Sequence, residues 1–300
     1  MPTSRVALAG ATGNLGVPVL EALLGAGLSV TVLSRVGGNS SKLKQRSNLT
    51  IKYVDFNSTQ SLASALQGIE VVVSCLATLA IGSQNPLIDA SVAAGVKRFI
   101  PAEFGMDSLN PLCVHLPVCA PKAATQKYLE AKAQANPGFS WTGIANGLFL
   151  DWGLQVGFII DTVRHTATLY SGGDIPFSTT TLADVARAVL GVIRNQDETA
   201  DRLLYIHSTV TTQNKLIGYA KEKDGKTWRT TCKDTEDLRR ERFGSLHNGH
   251  TMEAMDGFCV VAMFTPDYGC DFSTHLDNEL VGVKGMDEND LRELVRGFVQ

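Results

Sequence analysis

Three hundred residues, 44% of them apolar, are enough for one large domain or two lobes around a full core. The net charge is −3, and acidic residues interrupt the basic clusters at 221–229 and 239–242, which argues against nucleic-acid or membrane partners. No apolar run reaches the roughly 18 residues of a bilayer span, and the opening MPTSRVALAG lacks the layout of a secretory signal, so a cytoplasmic location is expected.

In chain order, VALAG at 6–10 predicts a short strand buried on both faces and ending in glycine. VPVLEALLGAGL then sets Val17, Leu20, Leu23 and Leu24 on one helical stripe, with Gly25 and Gly27 as the stop. SVTVLSR is a β-branched second strand, LTIKYVDFN a third, QSLASALQG a helix and IEVVVSCLA a fourth strand. PLIDASVAAGV predicts a helix, KRFIPAEFG a fifth strand, residues 121–135 a helix and FSWTGIAN a strand. Strands alternating with helices call for a parallel sheet covered on both faces, a Rossmann-type doubly wound α/β fold. Past residue 150 the rhythm loosens: TTLADVARAVLGVIRN predicts a helix, DRLLYIHS a strand and DENDLRELVRGFV a short amphipathic helix. The expected organisation is a dinucleotide-binding domain over 1–150 and a smaller α+β substrate lobe over 151–300. The lobe is expected to lie over the carboxyl edge of the sheet and to be partly interleaved with the first domain. Six cysteines, at 75, 113, 119, 232, 259 and 270, show no metal-site spacing, so a reduced chain without a structural metal is expected.

GATGNLG places Gly10, Gly13 and Gly16 between the first strand and the first helix. Gly10 suits a tight turn, Gly13 a close approach of backbone to a pyrophosphate, and Gly16 close packing of helix on strand. Thr12, Asn14 and Leu15 complete this loop, whose unpaired amides and helix dipole favour phosphate. The spacing is GxxGxxG, the short-chain dehydrogenase variant. Arg35 ends the second strand where an acidic residue would hold a ribose 2′-hydroxyl, so the cofactor expected is NADP(H), its 2′-phosphate gripped by the guanidinium. Lys42 and Lys44 could add charge there. Asp55, ending the third strand in VDF, and Phe56 beside it are placed at the adenine edge. Ala77 and Thr78, in SCLAT ending the fourth, are placed beside the nicotinamide-proximal ribose.

GATGNLG, the arginine after strand two, YVDFNSTQSL and GIEVVVSCLA resemble the NmrA-like, isoflavone-reductase-like branch of the atypical short-chain dehydrogenases. KRFIPAEFGMD (97–107) is similar to that branch's RFxPSEFG signature, with Ala102 where the family often has serine. The resemblance covers nearly the whole chain, is strongest over 5–150 and becomes vague after about 210. It implies NADPH-dependent reduction of phenylpropanoid, isoflavonoid or other aromatic or heterocyclic secondary metabolites. It also implies a catalytic lysine on the helix after the signature, best matched by Lys122 in APKAATQKYLEAK. A lysine near a helix start in a partly dry cleft can relay a proton and stabilise charge on the group that accepts hydride. Tyr128 and Lys132, a Tyr-x-x-x-Lys pair on one helical face, compete for that role. Asn146 and Gly147 match the segment flanking the nicotinamide, which Phe104 also edges. Glu103, Phe104, His115, Phe149 and Trp152 are the expected substrate contacts, with Phe158 as a further pocket wall and the insert 108–121 as a cover. Two other functions stay open: a non-reductive enzyme using NADP(H) as a scaffold, with Glu103, Asp107 or Asp151 as acid or base, and an NADP-sensing regulator. The oligomeric state is likewise open.

Overall fold

The computed structural model describes residues 4–300; residues 1–3, part of the stretch read for a secretory signal, lie outside the described residues. The first half runs β1 (Arg5–Ala9), α1 (Gly16–Gly25), β2 (Ser29–Ser34), β3 (Leu49–Tyr53), α2 (Thr59–Ala65), β4 (Val71–Ser74), α3 (Asn85–Ala93), β5 (Arg98–Ile100), α4 (Ala120–Ala135) and β6 (Ser140–Ala145). The second half adds β7 (Leu148–Phe149), α5 (Leu150–Gln155), β8 (Thr166–Tyr170), β9 (Phe177–Thr180), α6 (Leu182–Arg194) and β10 (Arg202–Tyr205). It ends with β11 (Thr209–Thr211), α7 (Gln213–Asp224), β12 (Arg229–Lys233), α8 (Thr235–His247), α9 (Thr251–Phe264), α10 (Asn278–Val281) and α11 (Glu288–Phe298).

The main sheet has the order β10-β6-β5-β4-β1-β2-β3, and every pairing in it is parallel. Alternation along β1 decides which helices cover which face. Val6 and Leu8 pack with Leu20 and Leu23 of α1 and Val185 and Val189 of α6. Ala7 and Ala9 face the other way, toward Leu62 of α2, Leu87 of α3 and Leu129 of α4. Each fully buried Leu or Val contributes about 1.5–3 kcal/mol, so these two apolar layers hold the sheet flat between its helices. The chain moves outward from β1 to β3 and then crosses back to β4 on the other side of β1. That reversal opens a crevice at the carboxyl ends of β1 and β4, the usual ligand position in such sheets.

Two elements of the second half return to this body: β10 extends the sheet beside β6, and α6 joins α1 in covering one face. α6 is set by local signals. Its Thr181 cap accepts from the Asp184 amide, and Val185, Ala188, Val189 and Val192 form its buried stripe. The rest of the second half encloses its own core, in which Leu150 of α5, Leu216 of α7, Phe258 and Phe264 of α9 and Leu291 of α11 meet. Two small sheets line it, β11-β9-β7 and the parallel pair β12-β8. No helix among the described residues is long and apolar enough to cross a membrane.

Three expectations are corrected. The fifth strand stops at Ile100, well short of the predicted Gly105, because Pro101 cannot donate to a ladder and the Glu103 amide turns back onto the Pro101 carbonyl at 2.8 Å. The third ends at Tyr53, so Asp55 sits in the loop before α2. The cysteines are not all free: Cys113 and Cys119 form a disulfide across the insert, where a short helical turn brings their Cα atoms to 6.0 Å.

Candidate functional site

The glycine loop joins β1 to α1 at the crevice, and each glycine meets different surroundings. Gly10 has φ +79°, and a Cβ there would collide with the Cys75 carbonyl at the end of β4. A Cβ on Gly16 would collide with the Gly10 carbonyl. A Cβ on Gly13 would meet only the Gly10 carbonyl oxygen, at 3.4 Å, with open space beyond. Two of the glycines therefore serve the fold, and the third leaves room for something outside it. Thr12, Gly13 and Asn14 are exposed, whereas the Leu15 side chain is buried and offers only its main chain. The Gly13 amide donates to Gly10 and that of Val17 to Gly13, but among the described residues the amides of Thr12, Asn14 and Leu15 have no acceptor. Free N–H groups and the positive end of the α1 dipole converge there, which suits an anion.

Arg35 follows β2 at the rim of this crevice. It is exposed, its carbonyl closes a turn by accepting from Gly38 at 3.0 Å, and among the described residues no carboxylate pairs with its guanidinium. Lys42 and Lys44 are exposed nearby in sequence and equally unpaired. An unneutralised guanidinium at the carboxyl end of β2, next to the β1 loop with its free amides, fits a phosphorylated ribose better than a bare one. Asp55 is exposed, held by the Asn57 amide at 2.9 Å, while Phe56 packs half-buried against α2 and α3. Ala77 and Thr78 are exposed where a helical turn, Thr78–Ser83, leaves β4 and runs toward the first turn of α4.

Lys122 lies in that first turn, only 4% exposed. Its Nζ donates to the Glu103 carbonyl and stands 3.8 Å from Met106 Sδ. Gly105 is what admits it, since a Cβ on Gly105 would sit 2.8 Å from that Nζ. The Gly105 carbonyl in turn accepts from the amides of Asn146 and Gly147, at 2.9 Å each, which ties the end of β6 to the signature loop. Gly147, at φ +64°, passes so close to Ser178 that no side chain fits. Asn146 is fully buried and its Oδ1 has no partner among the described residues. Phe104 and Phe149 are half-buried at the edge of the α1–α6 layer. α5, which begins directly after Phe149, carries Trp152, which meets Phe158 at 6.1 Å between ring centroids. Lys122 is thus a buried amine close to the loop that the Gly105 carbonyl ties to Asn146 and Gly147.

A model of the NmrA-like family matches residues 2–265. The chain belongs to the NmrA-like family. Among curated proteins it is 31% identical to the oxidoreductase poxI of Penicillium oxalicum, over 91% of this chain and 88% of that one. It is 33% identical to the oxidoreductase aprR of Aspergillus flavus, over 82% and 83%, and 30% identical to the isoflavone reductase homolog IRL of Zea mays, over 75% and 76%. In fold it is similar to a leucoanthocyanidin reductase–NADPH complex from Vitis vinifera, with a TM-score of 0.76 at 18% identity over 99% of both chains.

Several expected site residues of this NmrA-like chain stand elsewhere. Tyr128 and Lys132 do share a helical face, with the Lys132 ammonium 4.9 Å from the Tyr128 ring. Both, however, are tied to Asp89 of α3, at 2.7 and 2.6 Å, and neither turns toward Lys122. Asp89 is the partner that pairwise spacing could not reveal. Glu103 is 1% exposed and bonded to Gln126, so it is removed from the substrate contacts. Asp151 is no free acid either: its carboxylate accepts from the Leu182 amide at the start of α6. His115 is exposed in the insert with no partner among the described residues. Sequence reasoning missed Gly105, Met106 and Cys259. Gly105 was legible only as part of the signature. Cys259 arrives on α9, near enough to feel the Lys122 charge, and burial pushes its thiol up to about 11.

Gly105→Ala is a sharp probe of this packing. The methyl pushes on the free end of a flexible side chain, so the fold should persist while Nζ is displaced. Turnover is expected to fall by about tenfold to hundredfold with little change in melting temperature, as for other misplacements approaching 1 Å.

Proposed function

We propose that the protein is an NADPH-dependent reductase of small aromatic or heterocyclic metabolites, in which Lys122 assists by proton delivery. The observation that carries this reading is the buried Lys122 amine, held at the carboxyl edge of a sheet whose crevice offers free amides at Thr12, Asn14 and Leu15 and an unpaired Arg35. The oxidoreductase relatives and the NADPH-bound structural neighbour support it.

The nucleotide fits the residues present: room at Gly13 for phosphate, and a guanidinium at Arg35 for a 2′-phosphate. When bound, it supplies a hydride from the nicotinamide. The chain's own residues do the rest. With a C=C, C=O or C=N bond as the acceptor, the role left to the protein would be to meet the negative charge that reduction places on the far atom of that bond. The Lys122 ammonium stabilises that charge and gives its proton to the same atom. Trp152 and Phe158 of the second lobe, with Phe149 just before it, offer aromatic rings against which an aromatic substrate can pack. On this reading the second lobe, 151–300, interleaved with the first domain through α6 and β10, is the substrate-binding unit, and we infer a cytoplasmic location.

Assay against a panel of aromatic enones, imines and ketones, read as loss of reduced-nicotinamide absorbance, tests the reading. Turnover of at least one is expected. Product formed without nicotinamide oxidation would instead mark a non-reductive enzyme. Arg35→Ala is expected to weaken NADPH binding by about tenfold to hundredfold and to leave NADH binding nearly unchanged, the loss of one or two charge-assisted bonds. Titration calorimetry with both nucleotides measures it.

A further inference from the structure

Glu103 grips α4 twice. Its main-chain carbonyl accepts from Lys122 Nζ, and one helical turn further along its Oε2 accepts from Gln126 Nε2 at 3.0 Å. Gln126 Nε2 also donates to Ser108 Oγ at 2.8 Å. Gly143 of β6 lies beside the side chain, where a Cβ would be in ordinary contact with Glu103 Cγ at 3.7 Å. All of these groups are buried.

The bonding in this pocket is unbalanced in a telling way. Two acceptor oxygens, Glu103 Oε1 and Gln126 Oε1, have no partner among the described residues. An ionised carboxylate would aggravate that, since it accepts only. A neutral carboxylic acid eases it, because its O–H adds a donor to a pocket in which only Gln126 Nε2 and the Ser108 hydroxyl are hydrogen-bond partners of the carboxyl. Lys122 points to the same state: its ammonium is bonded to the Glu103 carbonyl and not to the carboxyl group of the same residue.

We propose that Glu103 is held as a neutral carboxylic acid and serves as the positioning residue for Lys122, locking the first turns of α4 so that the ammonium bonds to a carbonyl and stays clear of an ion pair. This rests on Lys122 as the proton donor. An ammonium paired with a carboxylate would be a poorer acid, drawn away from the cleft, whereas a neutral neighbour leaves its charge available to the substrate. The groups facing the carboxyl are Lys122 and Gln126 from α4, Ser108 and Asp107 from the loop, and Tyr205 from β10. Burial raises the Glu103 pKa, with Asp107 adding to the rise, against the opposing pull of Lys122, Ser108 and Gln126. A carboxyl raised in the folded state binds more protons there than in the unfolded chain. Its contribution to stability is therefore full in acid and is lost as pH rises through its folded value.

The test compares wild type, Glu103→Gln and Glu103→Ala. Melting temperature is followed from acid to mildly alkaline pH, and the Lys122 Nζ resonance is followed by nitrogen NMR, assigned by its loss in Lys122→Arg. Gln copies the neutral acid's shape and its donor. Glu103→Gln is expected to melt at or above wild type with a gap that widens as pH rises, and to keep the wild-type Nζ resonance. In turnover, Gln is expected to restore most of what Ala removes, roughly tenfold or more, with the alkaline limb of the pH profile moved upward. Melting of Glu103→Gln below wild type at every pH, with a shifted Nζ resonance, would show an ionised carboxylate paired with Lys122 and overturn the proposal. Full turnover in Glu103→Ala would overturn it equally. Should Glu103→Ala not fold, the melting series and the resonance decide alone. Neither needs a substrate, so a reductase reading that fails for want of turnover is distinguished from a failure here.

Discussion

Lys122→Met is expected to lower turnover by about a hundredfold to ten-thousandfold, the usual range for a lost proton donor, while the nucleotide still binds. Methionine keeps the apolar stem that fills the space under Gly105, so the change removes the ammonium and little else. The Glu103 carbonyl loses its donor, which costs about 1–3 kcal/mol if no water replaces it. Melting temperature should therefore drop modestly and NADPH affinity should hold. The comparison of turnover with affinity is the measurement. Equal losses in both would move Lys122 from the chemistry to the nucleotide site, and no loss in either would favour the regulator.

The second large effect separates two glycines three residues apart. Gly10→Ala drives a methyl into the Cys75 carbonyl at a left-handed backbone position, where neither backbone can yield. It is expected to unfold the crevice, with a loss of several kcal/mol and poor recovery of folded protein. Gly13→Ala meets nothing closer than 3.4 Å, and Gly13 is not among the positive-φ glycines, so the fold should persist or gain slightly. Its methyl nevertheless stands where a phosphate would rest against the loop, and NADPH affinity is expected to fall at least about tenfold. Thermal melting with and without NADPH separates the two: Gly10→Ala loses the transition itself, while Gly13→Ala loses only the shift on adding nucleotide.

The two glycines also show what a sequence can tell. The strand, glycine loop and α1 were legible because each signal is local: an apolar run, small residues at fixed spacing, then a helical stripe. So were α6, read from TTLADVARAVLGVIRN, and the amphipathic α11. Lys122 came into view through the family signature, since nothing in KAATQKYLEAK distinguishes one lysine from the next. What failed was long-range. Tyr128 and Lys132 had the right spacing, and Asp89, some forty residues earlier, took both. Glu103 and Asp151 read as available acids because charge is visible in sequence and burial is not; one sits under α4 and the other caps α6. Cys113 and Cys119 read as a scattered pair until the turn between them closed. That Cys259 comes within reach of the Lys122 charge depends on how α9 packs, which no window of neighbouring residues contains.

Paired titration of the unmodified protein with NADPH and NADH is the most direct trial of the loop and Arg35 together. Saturable uptake of one NADPH per chain, at least about tenfold tighter than NADH, is the predicted result. No uptake of either nucleotide, or a preference for NADH, would contradict it.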